Sequence, residues 1–142
     1  MTRYLLDTNI VSDALKPQPA AAIARWLESQ PITDLFIATL TIGEIWRGVL
    51  QRAPGRRRAE LTIWFEGPRG PRALFADRIL PFDFAAGMTW ARIMAEGTLT
   101  GRPRSAIDML IAATAVANNC VVATANERHF RGVVEFVNPL RT

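Results

Sequence analysis

The stretch Tyr4-Leu5-Leu6-Asp7-Thr8-Asn9 changes from apolar, strand-favouring residues to polar ones within a few positions. A helical stretch follows as far as Lys16, where Pro17-Gln18-Pro19 would end a helix because proline lacks an amide proton and clashes with the preceding turn. We therefore predict a strand over Tyr4–Leu6, with Asp7 pointing into a loop at its end, and then a helix.

The same alternation of strands and helices continues along the chain. Helices are predicted over Ala20–Gln30, Thr41–Arg52, Arg56–Phe65, Phe84–Glu96 with Asp83 as its N-cap, and Ser105–Asn119 with Ile107, Leu110, Ile111 and Thr114 on its apolar side. Strands are predicted over Asp34–Leu40, Asp77–Phe82, Cys120–Ala123 and Val133–Val137. The segment Gly97–Pro103 is predicted to be a hinge.

Strands separated by helices of about a dozen residues are typical of parallel βαβ units. We therefore predict the α/β class, as a three-layer α/β/α sandwich with a mainly parallel central sheet. The 142 residues, 49% of them hydrophobic, suit a single domain over residues 1–142. In such sheets ligands bind beyond the carboxyl ends of the strands, so functional residues are expected there.

Composition excludes several kinds of site. The single cysteine, Cys120, lies in an apolar stretch and excludes both an internal disulfide and a cysteine zinc site, so we expect it to fill the core. No apolar run approaches the roughly 18 residues that a membrane helix needs, and the first residues do not resemble a secretory leader. The chain is expected to be soluble and cytoplasmic, with no membrane partner.

The charge is biased toward arginine. Seventeen Lys and Arg residues against thirteen Asp and Glu give a net charge of +4, and all but one of the seventeen are arginine. The planar guanidinium suits bidentate phosphate recognition, which favours a nucleic-acid or acidic-protein partner. A genome rich in G and C would produce the same bias, so charge alone does not decide between these explanations.

Three acidic residues are placed to reach one edge of the predicted sheet. Asp7 ends the first strand, Glu44 follows the second, and Asp108 lies in the first turn of the helix before the fourth. Adjacent carboxylates repel one another unless a cation neutralises them. Magnesium prefers oxygen ligands and usually retains several waters, one of which could act as the nucleophile. The pattern therefore indicates a magnesium site.

Helix capping is an alternative explanation for two of these acids. Thr41-Ile42-Gly43-Glu44 and Ser105-Ala106-Ile107-Asp108 both have the spacing of a capping box, with a hydroxyl residue followed three positions later by an acid. Capping leaves Asp7 unexplained, and it does not exclude metal binding.

Other chemistries are less well supported by the sequence. The only histidine, His129, has no evident nucleophile partner and is expected to be a surface or packing residue. A haloacid dehalogenase-type phosphotransferase needs a second aspartate two residues after the first, where this chain has Asn9. A nucleotide-binding loop would be rich in glycine, and the segment 8–12 has none. The four tryptophans fall in predicted helices, where packing is the expected role.

Four segments resemble, in order, the motifs of PIN-domain nucleases. They are Leu5–Asn9 (LLDTN), Thr41–Ile45 (TIGEI), Ser105–Ala113 (SAIDMLIAA), and Val122–Phe130 (VATANERHF) followed by Val137-Asn138-Pro139. The last segment is similar to that of the VapC and FitB group of toxins. The match covers the whole chain, and four such segments in the right order are hard to obtain by chance.

This resemblance implies hydrolysis of RNA phosphodiester bonds with magnesium, for which manganese should substitute. Asp7, Glu44 and Asp108 would hold the metal, with Asp7 as the central ligand. The family usually has a further acid in the last motif, where this chain has Asn126. An amide adds no negative charge, so we expect one well-held magnesium and a weaker or absent second. The adjacent Glu127 is an alternative source of the fourth acid.

Polar neighbours could support this site. Thr8 and Asn9 are candidate hydrogen-bond partners of the metal ligands, and Asn9 could equally be an ordinary turn residue. Arg47, Arg102 and Arg104 are candidate phosphate contacts, each with the alternative of a solvated surface charge.

The resemblance also implies partners, namely an RNA substrate, a second copy of the chain in a homodimer, and a small antitoxin whose tail occupies the active-site groove. The Arg56-Arg57-Arg58 run is expected to form a solvated face or an anchor for an acidic partner. The main rival function is a PIN fold that has lost activity and serves as a binding or scaffold protein, which Asn126 leaves open.

Overall fold

A central sheet of five strands organises the computed structural model, which describes residues 1–142. The strands are β1 (Arg3–Leu6), β2 (Leu35–Ala38), β3 (Ile79–Leu80), β4 (Cys120–Ala123) and β5 (Phe136–Val137). They lie in the order β3-β2-β1-β4-β5, and every neighbouring pair is parallel. The strand that opens the chain is therefore the central one.

Helices connect the strands. They are α1 (Thr8–Ala14), α2 (Ala21–Glu28), α3 (Thr39–Leu50), α4 (Arg56–Glu66), α5 (Pro71–Leu74), α6 (Phe84–Leu99), α7 (Ala106–Ala117) and α8 (Glu127–Phe130). Short 3-10 turns occupy Ile32–Asp34 and Pro139–Arg141. No helix has the length and apolar character needed to cross a bilayer.

Successive residues of β1 face opposite sides of the sheet, and each side has its own core. Leu5 packs in a cluster with Ile93 of α6 and Met109 of α7. Leu6 packs in a second cluster with Ile10 of α1 and Trp26 of α2. Both leucines are almost fully buried. The predicted α/β/α sandwich is confirmed, and its sheet is parallel throughout.

Several predicted elements have different bounds in the structure. The predicted strands Asp77–Phe82 and Val133–Val137 shrink to β3 and β5, because these edge strands have a pairing partner on one side only. Cys120–Ala123 is observed as predicted, and Cys120 is buried as expected. Ile107, predicted on the apolar side of α7, is 53% exposed because it lies in the first turn, beyond the packed part of the helix.

The start of α3 differs from its prediction in a way that affects the site. The helix begins at Thr39, directly after β2, so Thr41 lies inside it and Glu44 lies in its second turn. Thr41 therefore does not open or cap the helix, and the alternative explanation of Thr41 and Glu44 as a capping box is wrong. The predicted caps Ser105 and Asp83 are confirmed, since their side chains accept hydrogen bonds from the amides of Asp108 and Ala86.

The predicted hinge begins later than expected, because α6 continues through Gly97 to Leu99. Beyond the helix the chain turns back, and the amide of Arg102 donates to the carbonyl oxygen of Gly97 at 2.8 Å. A Cβ atom at position 97 would lie only 2.9 Å from the carbonyl oxygen of Arg102. Glycine at position 97 thus allows the segment 100–104 to fold against α6.

Replacing Gly97 by alanine is expected to lower the free energy of unfolding by about 1–3 kcal/mol, because the added Cβ forces the loop off α6. The matched change Gly48→Ala, at an open position in α3, should raise it by roughly 0.5–1 kcal/mol. Urea unfolding followed by tryptophan fluorescence measures both. Equal stabilisation of the two variants would contradict the close approach at Gly97.

Candidate active site

The carboxylate of Asp7 lies at the carboxyl end of the central strand and is only 6% exposed. Its Oδ1 accepts a hydrogen bond from the amide of Thr8 at 2.8 Å, so Asp7 is the N-cap of α1. Its Oδ2 accepts from the hydroxyl of Thr124 at 2.9 Å and from the side-chain amide of Asn9 at 3.3 Å. These bonds hold the carboxylate in one orientation.

The pKa of Asp7 is raised above its ordinary value of 3.8. Burial is the largest cause, and the hydrogen bonds from Thr124 and Thr8 partly oppose it. The negative charges of Asp108 and Glu44 raise the pKa further. The structure therefore brings the three predicted acids close enough together to interact electrostatically.

Glu44 is linked to Asp7 through Thr8. The Thr8 hydroxyl donates to Oε1 of Glu44 at 2.7 Å and lies 3.1 Å from the hydroxyl of Thr41. A hydroxyl has only one proton, so Thr41 is the donor to Thr8. Thr41 is fully buried. Thr41 therefore helps to orient Glu44 through Thr8 instead of capping the helix. Its position three residues before Glu44 was the only indication in the sequence that it belongs to the site.

Asp108 projects from the first turn of α7, and its Oδ2 lies 2.5 Å from Nδ1 of His129. His129 is exposed, as expected of a surface residue, and its ring also contacts a predicted metal ligand, which the sequence did not indicate. His129 lies three residues after Asn126, and the Nδ2 atom of that amide is 3.0 Å from the same ring nitrogen. The three-residue spacing was the only sequence indication that the side chains of Asn126 and His129 meet.

Asn126 and Glu127 point in different directions. The Asn126 side chain lies beside His129 and, through it, beside Asp108. Glu127 instead accepts a hydrogen bond from Asn138 at 2.9 Å and forms ion pairs with Arg131 and Arg141. The Asn138 bond is the main reason that the pKa of Glu127 is lowered, and the Arg141 charge contributes. Glu127 is therefore held to the C-terminal segment, away from the acidic cluster.

The three arginines named as candidate phosphate contacts differ in how exposed they are and in whether they already have a partner. Arg47 lies on α3 beyond Glu44, is exposed, and has no ion-pair partner. Arg102 is likewise exposed and unpaired. Arg104 is 19% exposed and donates to the carbonyl oxygen of Ile93 at 2.6 Å, with Glu96 3.8 Å away. These bonds tie Arg104 to α6, which makes it the weakest candidate of the three.

The fold and the residues at the carboxyl ends of its strands together define an α/β protein with an acidic cluster beyond a parallel sheet. The PIN domain family model matches residues 4–135. VapC ribonuclease Y4jK of Sinorhizobium fredii is 34% identical over 136 residues, which cover 95% of this chain and 96% of that protein. Toxin FitB of Neisseria gonorrhoeae is 36% identical over 126 residues, which are 89% of each chain.

A solved structure gives the same result. The crystal structure of FitAcB from Neisseria gonorrhoeae superimposes with a TM-score of 0.88 and 34% sequence identity, covering 98% of this chain and 99% of that one. The chain therefore belongs to the PIN-domain family, among relatives of the VapC and FitB type. The family resemblance noted from the four sequence segments is confirmed.

Asp7→Asn is expected to stabilise the metal-free protein at pH 7, because it removes a buried charge that Asp108 and Glu44 also repel. The pKa of Asp7 is higher in the folded protein than in the unfolded one, so the folded protein takes up the proton first. The stability of the wild type therefore rises as the pH falls toward 3.8. The advantage of the variant should therefore shrink at low pH.

Thermal melts in excess chelator between neutral and acidic pH measure this effect. Asp77→Asn is the matched control, because Asp77 is exposed and has no hydrogen-bond or ion-pair partner. A difference between Asp7→Asn and wild type that did not change with pH would contradict the raised pKa.

Proposed function

We propose that this protein is a metal-dependent ribonuclease that hydrolyses RNA phosphodiester bonds, with Asp7, Glu44 and Asp108 holding magnesium or manganese. The observation that carries the proposal is the position of Asp7, buried at the end of the central strand with Glu44 and Asp108 close enough for their charges to add to the rise in pKa that burial causes. Without a cation this arrangement works against the fold, so it is expected to serve binding. Relatives named as a ribonuclease and a toxin support the same activity.

The donor set fits a hard divalent cation. All three acids offer carboxylate oxygens, the ligands that magnesium prefers, and no cysteine is near. PIN-domain ribonucleases generally use divalent metal ions. In this structure no three His, Cys, Asp or Glu side chains lie close enough together to hold a metal ion. Glu44 is bonded to Thr8, and Asp108 contacts His129. Metal binding is therefore expected to compete with these two contacts.

The residues of the chain prepare the site in distinct ways. When bound, a divalent metal would lower the pKa of a water nucleophile and polarise the scissile phosphate. Thr124 and the Thr8 amide orient Asp7, and the Thr8 hydroxyl orients Glu44. Such support of a ligand typically affects metal affinity or activity by 10–100-fold. Asn126 adds an amide beside Asp108 but no charge, which supports the expectation of one well-held metal ion.

The proposal includes the setting of a type II toxin–antitoxin pair in the cytoplasm, with a small antitoxin as the silencing partner. The relative named toxin FitB supports it. We also propose a homodimer. On α6, Phe84 is 81% exposed and Met88 is 55% exposed, one helical turn apart, and an apolar surface of this kind suits contact between subunits.

An inactive PIN-fold scaffold is the alternative function, and Asn126 in place of the usual acid keeps it open. Calorimetric titration of the purified chain with manganese distinguishes the two. Absence of measurable binding would favour the scaffold.

Asp7→Asn and Glu44→Gln are each expected to reduce RNA cleavage by more than about 100-fold, beyond the loss typical of supporting residues. Excess chelator should abolish the wild-type activity. Glu127→Gln is the matched control and should retain most activity, because Glu127 bonds to Asn138 and two arginines rather than to the cluster. Gel analysis of a labelled RNA measures each rate. Full activity in Asp7→Asn would rule out the mechanism.

Thr41→Val is expected to weaken manganese binding by about tenfold, because it removes the proton donor that directs the Thr8 hydroxyl to Glu44 while nearly conserving volume. Thr41→Ser keeps the hydroxyl and should bind manganese almost as tightly as wild type. Calorimetric titration compares the three proteins. Equal affinities would mean that Glu44 is oriented without Thr41.

A further inference from the structure

A groove of about 510 Å³ lies beside the acidic cluster, between the loop before α7 and the segment around α8. Its lining is strongly basic. We call it the arginine groove and define it by Arg102, Arg104, Ser105, Arg128, His129 and Arg131. None of the three acids Asp7, Glu44 and Asp108 lines it.

Two of its arginines have no partner within the protein. Arg104 donates a hydrogen bond to the carbonyl oxygen of Ile93 and forms an ion pair with Glu96, and Arg131 pairs with Glu127 at 3.3 Å. Arg102 and Arg128 are exposed, and neither guanidinium makes an ion pair or hydrogen bond. Two unpaired guanidinium groups that line one groove are available to bind an anion.

Both walls of the groove are held by the fold. On one side, the close approach at Gly97 and the bonds of Arg104 fix the loop to α6. On the other, Phe130 is fully buried and anchors α8 in the core. Beyond it, Gly132 turns the chain with a φ of 78° that only glycine adopts readily. The free arginines therefore project from backbone that is already positioned.

His129 joins the groove to the acidic cluster, since it lines the groove and its Nδ1 atom contacts Asp108. A ligand lying across His129 would meet carboxylates at one end and arginines at the other. A polyphosphodiester chain suits both ends, because one phosphate can share a metal with the acids while a neighbouring phosphate binds arginine.

No Phe, Tyr or Trp lines the groove, and its one ring, that of His129, is held against Asp108. Its volume also suits a short single strand rather than a duplex. We propose that the arginine groove binds the phosphate backbone of single-stranded RNA next to the cleavage point, through Arg102 and Arg128, without selecting the bases. The identity of the ligand as RNA rests on the proposed function.

The double variant Arg102→Gln/Arg128→Gln tests this proposal. The probes are fluorescein-labelled oligouridylate and oligoadenylate of about 12 nucleotides, with anisotropy recorded in excess chelator so that no cleavage occurs. At low salt the variant should bind both oligonucleotides about tenfold more weakly than wild type does. The slope of log K against log[salt] should become shallower by about 1.4, for two lost phosphate contacts.

Arg69→Gln/Arg72→Gln is the matched control. It removes the same charge from exposed, unpaired arginines around the start of α5, which line no part of the groove. Equal loss of affinity in both double variants would overturn the proposal, because only net charge would then matter. A loss for one base sequence but not the other would overturn base-independent binding. Loss of polyglutamate binding with RNA binding unchanged would instead assign the groove to an acidic protein.

Cleavage with magnesium is measured separately, so the two proposals can fail independently. Wild-type protein that binds RNA as expected but never cleaves it would refute the ribonuclease and leave the groove standing. Cleavage by a double variant with unaltered KM and unaltered binding would refute the groove alone. Where both hold, the variant should raise KM about tenfold and leave the pattern of cleavage sites unchanged.

Discussion

A charged carboxylate at the buried end of the central strand is costly unless it is hydrogen-bonded, and this constraint organises the site. The Asp7 carboxylate accepts hydrogen bonds from the amide of Thr8 and from the hydroxyl of Thr124, which offset this cost. The second bond depends on sheet register, because pairing of Leu6 with Ala123 puts the residues that follow each strand side by side. No buried side-chain polar atom lacks a partner. The order of the two central strands is thus tied to the chemistry at their ends.

Threonines perform most of the support in the acidic cluster. Thr8, Thr41 and Thr124 come from α1, α3 and the end of β4, so the cluster depends on three separate parts of the chain. A hydroxyl donates to a carboxylate and still accepts a bond from another group, and it adds no charge. A lysine or arginine in the same place would neutralise the acids and weaken their attraction for a metal ion. The threonines orient the acids and preserve their charge.

The charge of the molecule is separated over a short distance. Acids gather beyond the central strands, and arginines line the groove on the other side of His129. The net charge of +4 does not reveal this separation, because the negative charges of the acids and the positive charges of the arginines cancel in the sum. Together, the two surfaces suit a long anion that meets the proposed metal site at one phosphate and arginine at the next.

The sequence alone determined the class of fold and singled out the three acids that we propose as metal ligands, because both follow from local patterns. Apolar strands alternate with helices, and Asp7 directly ends one of those strands, so parallel pairing gathers the acids at one edge. Tertiary structure decided what local pattern could not. Thr41 resembles a helix cap in the sequence. In the structure α3 begins at Thr39, directly after β2, and Thr41 is buried inside the helix. His129 meets Asp108 because α7 and α8 pack together, and contacts between distant residues depend on that packing rather than on sequence spacing.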